Sequence, residues 1–143
     1  MKEKKRVQPK ETFFSTRTKT AEFSFDFKFD VLAGREIHFD VGDGTQWLST
    51  SGVPFGFKRD VWYYVAAVVT TTGATYYVDG SAIGSVTYSG IPLLFDATHT
   101  VQIGTDTRYN DEWFQGAIDE VAVYDYALSA EQIAAHYAAG TGN

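Results

Sequence analysis

Hydrophobic and polar residues alternate along two neighbouring stretches of the chain. In residues 22–31 the apolar positions are Phe23, Phe25, Phe27, Phe29 and Val31. Residues 35–41 repeat the pattern, with Ile37, Phe39 and Val41 on one face and Glu36, His38 and Asp40 on the other. A period of two is typical of half-buried antiparallel strands. Because Ala33 and Gly34 lie between them, the two strands are predicted to form a hairpin.

Later segments extend this pattern of strands. Residues 61–69 are apolar on both faces, which predicts a central strand covered on each side. Residues 74–78 and 83–88 flank Asp79 and Gly80, a pair suited to the positive backbone dihedrals of a hairpin turn. The last strands are predicted over residues 99–104 and 116–126.

One helix is predicted near the carboxyl end, over about residues 130–138. Ser129 followed by Gln132 fits a capping box, in which each side chain binds the other residue's main-chain amide. Leu128 and Ile133 are spaced as a hydrophobic staple, and Gly140 stands where a helix stop is expected.

Composition agrees with an all-β sandwich or barrel. The chain has 143 residues, enough to bury a core as one domain, and it is rich in aromatic residues and glycine-containing turns. It contains no cysteine, which excludes disulfides and thiolate metal sites.

Charge is divided unevenly. Residues 1–10 hold five basic residues and one acidic residue, which predicts a basic flexible tail, followed by a single domain over residues 11–143. Of the 12 basic and 18 acidic residues in the whole chain, 7 and 17 are left for that domain. An acidic domain argues against nucleic-acid binding, because phosphate binding needs a basic face. The sequence has no apolar run of the kind that would predict a membrane span or a signal peptide.

Several short sequences occur together in a recognisable order. They are VGDG at residues 41–44, W-x-x-V-A at 62–66, YYVDG at 76–80, VQIG at 101–104, and FQGAIDEV followed by ALSAEQI from residue 114. This set resembles the LamG-like jelly-roll domains of the concanavalin A-like lectin/glucanase superfamily. The resemblance implies an antiparallel jelly-roll β-sandwich with one short C-terminal α-helix, a packing role for Trp62, and an extracellular or cell-surface location.

The resemblance is incomplete at the amino end. Domains of this family usually begin with several strands before the point matched here by Phe13 and Phe14. Without them, the strand around residues 118–124 is expected to have an unpaired edge, which favours a homo-oligomer. The competing expectation is that the N-terminal segment folds back over the gap.

A glycoside hydrolase of this superfamily would need two carboxylates on one strand face. The alternate positions here are Ala117, Asp119 and Val121, and Glu120 projects to the opposite face. The sequence therefore predicts a protein that is not an enzyme, with glycoside hydrolase as a minority alternative. Asp119 is expected to accept hydrogen bonds from main-chain amides.

The loop at residues 106–112 holds the main candidate site. Asp106, Asn110 and Asp111 are oxygen donors of the kind that calcium prefers, although polar loops are often only solvated. Aromatic platforms beside polar groups suit a sugar ring. The candidate ligand-binding residues are Arg108, Tyr109, Trp113 and, near the VGDG turn, Trp47. Both tryptophans could equally cover the ends of the sandwich.

These observations predict a non-catalytic recognition module. Its partner is expected to be a glycan or a protein surface. The alternative is a structural or oligomerisation scaffold with no small-molecule site, because fold alone does not fix function.

Overall fold

The computed structural model describes residues 11–15, 25–30, 36–92, 101–105 and 113–142. The predicted basic tail and the turn at Ala33 and Gly34 lie outside these residues. The described part is built mainly from strands, in the order β1 (Glu11–Ser15), β2 (Phe25–Asp30), β3 (Glu36–Gly42), β4 (Trp47–Ser49), β5 (Gly52–Pro54), β6 (Val65–Val69), β7 (Gly73–Val78), β8 (Ser81–Thr87), β9 (Gln102–Ile103) and the helix α1 (Ala130–Thr141).

The larger sheet has six strands, in the order β4-β3-β2-β1-β9, with β5 also paired to β3. Strands β2 and β3 are antiparallel, with Phe27 opposite Phe39 and Phe29 opposite Ile37, which confirms the pairing predicted from alternation. Strand β1 lies between β2 and β9. The N-terminal strand is therefore part of this sheet, but it pairs with β2 and β9 and not with residues 116–126, where the unpaired edge was expected.

The smaller sheet has three strands, in the order β6-β7-β8. The predicted hairpin of β7 and β8 is confirmed. Asp79 and Gly80 have φ angles of 49° and 76°, so the turn uses the left-handed region that glycine adopts without strain. An added Cβ at Gly80 would lie 3.1 to 3.3 Å from atoms of Tyr137 and Ala134, because α1 packs closely on this turn.

The core lies between the two sheets, where β3 contacts β7. Its buried residues are Ile37, Phe39, Val41, Phe57, Ala74, Tyr76 and Val78. The Tyr76 hydroxyl joins the layers: the Phe39 amide donates to it at 3.2 Å, and the hydroxyl donates to the Ser51 carbonyl at 3.1 Å. The described strands, the single short helix and this two-layer core establish an all-β sandwich.

Two predicted strands differ from the structure. Residues 61–69 do not form a central strand, because β6 begins at Val65 and pairs only with β7 among the described residues. Residues 116–126 form no strand and belong to neither sheet. Their apolar sequence has the character of a strand, but a strand needs a neighbour for its main-chain hydrogen bonds, and within the described residues they have none.

Asp40 also departs from the alternation. The pattern placed it on the outer face of its strand, but it is buried in the structure. Both faces of this part of β3 are therefore covered, because the apolar residues on either side of Asp40 are buried as well. A period of two separates the faces of a strand but does not say which faces are covered.

The helix follows its predicted signals at one end. Ser129 caps α1, and the reciprocal bonds of the capping box with Gln132 are present. The helix runs past the predicted stop at Gly140 and ends at Thr141. Gly142 is its C-cap, with a left-handed φ of 71°. Ile133 is fully buried and anchors the helix. In the described part of the chain, no helix has the length and apolar character that crossing a membrane would require.

Candidate ligand-binding surface

Trp113 stands at the base of the loop that the sequence singled out. It forms an antiparallel bridge with Thr105, and the Phe114 amide donates to the Gly104 carbonyl at 2.9 Å. The Trp113 side chain is 54 % exposed. This short pairing fixes the main chain that carries the exposed Trp113 side chain.

The other candidate site residues belong to the polar sequence before Trp113. Asp106, Arg108, Tyr109, Asn110 and Asp111 all lie outside the described residues. Among the residues that are described, no group of three or more His, Asp or Glu side chains is arranged to hold a metal ion. The predicted calcium ligands therefore stay predictions, as do the two polar sugar contacts.

Trp47 lies far from Trp113. It is half-buried in β4 and pairs with Gly42, at one edge of the larger sheet. Trp113 lies next to β9, at the other end of that sheet. Four strand steps of about 4.8 Å each separate β4 from β9 by about 19 Å. The two tryptophans can each cover or bind something, but they do not share one site for a small ligand.

The VGDG turn beside Trp47 holds its own carboxylate. Asp43 Oδ1 accepts hydrogen bonds from the Thr45 hydroxyl at 2.6 Å and from the amides of Thr45 and Gln46 at 2.8 and 2.9 Å. These bonds stabilise the charged carboxylate and lower the pKa of Asp43 to about 2, from its ordinary value of 3.8. The side chain therefore shapes the turn.

We expect the pKa of Asp43 to be measurable as a carboxyl chemical shift that titrates near pH 2. Because the folded pKa lies below the unfolded one, the stabilisation is fully present above about pH 4 and is lost as the pH falls through about 2. Asp43→Asn should remove this part of the acid sensitivity, measured by urea unfolding at pH 5 and pH 2.5. A titration midpoint near 4 would mean that the bonds of the turn do not form in solution.

A second group of aromatic rings lies where α1 meets the segment before it. Tyr124 is 5.6 Å from the ring of His136 and 6.0 Å from that of Tyr126, and Tyr64 is 6.1 Å from Tyr137. Burial, and secondarily Tyr124, raises the pKa of Tyr64. His136 and Tyr137 are consecutive in α1, so the two groups of rings contact the same turn of the helix. We call Tyr64, Tyr124, Tyr126, His136 and Tyr137 the aromatic surface. No local sequence pattern identifies this surface, because its members come from three separate segments.

Trp62 does not pack in the core. The resemblance assigned it to packing, but its side chain is 67 % exposed. The assignment is wrong because β6 begins only at Val65. Trp62 therefore lies in the segment before β6, outside both sheets of the described part of the chain.

Asp119 and Glu120 are both exposed, and in the sequence they lie between Trp113 and Tyr124. Asp119 Oδ1 accepts a hydrogen bond from the Glu120 amide at 2.9 Å, which confirms the predicted bond to a main-chain amide. Glu120 has a φ of 52°, a left-handed conformation that is uncommon for a residue with a side chain. The doublet thus shapes the chain locally.

Comparison with known proteins identifies the fold family. The family model Laminin_G_3, described as the concanavalin A-like lectin/glucanases superfamily, matches residues 4–134. No curated protein matches the chain. A solved structure, residues 221–444 of an S-layer domain-containing protein from Clostridium thermocellum, is 18 % identical, with a TM-score of 0.49 over 96 % of this chain and 67 % of that one. Since the family model covers most of its length, the chain belongs to the concanavalin A-like lectin/glucanase superfamily.

Proposed function

We propose that this chain is a non-catalytic recognition module that binds carbohydrate through the surface around Trp113. The observation that carries the proposal is the exposed indole ring of Trp113, held at the base of a polar loop by the bridge to Thr105. A pyranose ring offers an apolar face of C–H groups and a rim of hydroxyls. An exposed indole fits that apolar face.

The loop sequence offers the polar half of such a site. Residues 106–112 supply a guanidinium from Arg108, a phenol from Tyr109, three carboxylates and one amide. These groups can donate to or accept from sugar hydroxyls. We propose no catalytic step: retaining glycosidases use two carboxylates about 5 Å apart, and the sequence lacks the pair of carboxylates at alternate positions, because Ala117 and Val121 flank Asp119. Release of reducing sugar from any bound glycan would overturn this part of the proposal.

Substitution of Trp113 tests the site. Trp113→Ala is expected to weaken glycan binding by about 1 to 3 kcal/mol, because the stacking platform is lost while the fold is kept. The glycan is first identified on an array, and the affinities are then measured by calorimetry. Tyr109→Ala should act in the same direction.

Trp62→Ala is the matched control, since Trp62 is even more exposed but lies in the segment before β6 of the smaller sheet. It should leave glycan affinity unchanged. Equal losses for both tryptophan variants would show non-specific adsorption, and wild-type affinity for Trp113→Ala would place the site elsewhere.

We also propose that Asp106, Asn110 and Asp111 hold a calcium ion. A ligand that binds only the folded state raises the melting temperature by mass action. The melting temperature is therefore expected to rise with millimolar calcium and to fall with EDTA. Asp106→Asn with Asp111→Asn should abolish the difference, whereas Asp60→Asn, an exposed residue in another loop, should keep it. Identical melting curves in calcium and EDTA would remove the metal.

Protein interaction is the second candidate function. The exposed residues 116–126, which lie in no sheet, favour it, and the homo-oligomer expected from the sequence is one form it could take. Light scattering at micromolar concentration measures that directly. For either function we propose an extracellular or cell-surface location, which protease treatment of intact cells would test by removing the protein.

A further inference from the structure

The main chain of residues 121–126 has no hydrogen-bond partner among the described residues. These residues pair with no strand. Their sequence, VAVYDY, is rich in valine and tyrosine, which favour strands over helices or turns. We call residues 121–126 the acceptor segment. Its sequence is suited to a strand, but no neighbouring strand among the described residues pairs with it.

The side chains of the acceptor segment are exposed at both alternating sets of positions. Val121 and Val123 belong to one set, Tyr124 and Tyr126 to the other, and all four are exposed, Val123 by 53 %. Isolated exposed apolar residues are ordinary on a protein surface, but four within six residues form a patch. Adding a strand would cover part of this area and satisfy the amides and carbonyls at the same time.

Strand β6 has a second edge without a described partner, and it lies near the acceptor segment. Strand β6 is half-buried on both faces and pairs only with β7 within the described part. Tyr64, the residue before β6, belongs to the aromatic surface together with Tyr124 and Tyr126. The acceptor segment and the edge of β6 that has no described partner therefore both begin at rings that contact the same turn of α1. These rings would pack against an added strand.

Charge decides which strand fits. Residues 61–92 and 113–142 contain no lysine or arginine, and their acidic residues are Asp79, Asp119, Glu120, Asp125 and Glu131. A second copy of this chain that paired through the same segment would bring the same negative charges into contact. Like charges across a strand pair are destabilising, whereas lysine or arginine on the added strand would be attracted.

We propose that the acceptor segment binds an added β-strand from a basic polypeptide, in which lysine or arginine alternates with apolar residues. Its main-chain hydrogen bonds supply affinity, and Asp119, Glu120 and Asp125 supply selectivity for basic side chains. This proposal stands apart from the glycan site at Trp113, and neither depends on the other.

The test uses the whole chain and three synthetic ten-residue peptides. In one peptide lysine alternates with valine, in the second glutamate replaces lysine, and the third is the lysine peptide with alternate main-chain amides methylated. Affinity is measured by fluorescence anisotropy, and amide hydrogen exchange locates the bound peptide. We expect the lysine peptide to bind at least about tenfold more tightly than the other two and to slow exchange at residues 121–126.

Matched variants separate the main-chain and charge contributions. Val123→Pro removes an amide and should weaken the lysine peptide about tenfold, while Val123→Thr should stay within about twofold of wild type. Glu120→Gln with Asp125→Asn should weaken the lysine peptide by about three- to tenfold. Val123 is exposed and without hydrogen bonds to other described residues, so unchanged melting temperatures are expected for these variants.

Three results would overturn the proposal. Equal affinity for the lysine and glutamate peptides would remove the charge argument. Unchanged amide hydrogen exchange at residues 121–126 in the presence of the lysine peptide would show that the acceptor segment is not the binding site. Self-association that Val123→Pro abolishes would assign the edge to a second copy of this chain.

Discussion

Replacing Tyr76 by alanine is expected to lower the free energy of unfolding by about 3 to 5 kcal/mol. Tyr76 is a fully buried side chain in β7, and its ring fills the space between the two sheets. Its removal leaves a cavity that close-packed neighbours fill only in part. Because small domains are stable by about 5 to 15 kcal/mol, the variant should be largely destabilised at 37 °C. Urea unfolding monitored by tyrosine and tryptophan fluorescence measures the change.

A milder pair of variants isolates the hydroxyl of Tyr76. Tyr76→Phe keeps the ring but leaves the Phe39 amide and the Ser51 carbonyl without this partner, and should cost about 1 to 3 kcal/mol. Tyr77→Phe is the matched control. Tyr77 is also buried in β7 but its hydroxyl makes no hydrogen bond to a described residue, so a change below about 0.5 kcal/mol is expected. Equal costs for the two variants would show that the hydroxyl does not join the sheets.

Replacing Ile133 by alanine is expected to cost about 2 to 5 kcal/mol and to release α1 from the sandwich. Ile133 is the buried residue of this helix, and short helices owe most of their stability to such packing. Circular dichroism at 222 nm should fall together with stability. Exchange of the α1 amides should become faster than that of the β7 amides.

The same substitution at an exposed site provides the control. Ile91 is 79 % exposed, so Ile91→Ala should change the free energy of unfolding by less than about 0.5 kcal/mol. If Ile133→Ala were equally mild, α1 would be held by its caps and by the contact with Gly80, and Ile133 would not be its anchor.

Much of the local structure followed from residue types alone. Alternation located β2 and β3 and their pairing, because side chains on a strand point to opposite faces with a period of two. Asp79 with Gly80 predicted the β7–β8 turn, and Ser129 with Gln132 predicted where α1 begins. Each of these signals acts within a few residues, so no knowledge of distant segments was needed. The family followed similarly, from short sequences in a fixed order.

The candidate site was only partly accessible from sequence. The polar loop drew attention to Trp113, and the structure gives its indole an exposed place beside Thr105. Trp47 was grouped with Trp113 because both are tryptophans. The strand order places them at opposite ends of the larger sheet, where β4 and β9 are about 19 Å apart. The aromatic surface joins Tyr64, Tyr124 and His136 across more than seventy positions of sequence, which no local pattern reveals.

The sequence by itself determined the all-β class, the hairpins, the capped helix and the family, since these depend on periodicity and on short-range hydrogen bonds. Only the tertiary structure decided which strands have neighbours. Residues 61–69 and 116–126 are as apolar as buried strands. Yet the first contribute only β6, which pairs with β7 alone among the described strands, and the second pair with no described strand. Hydrophobicity reports that a segment gains by being covered, whereas pairing depends on a partner main chain that the segment does not encode.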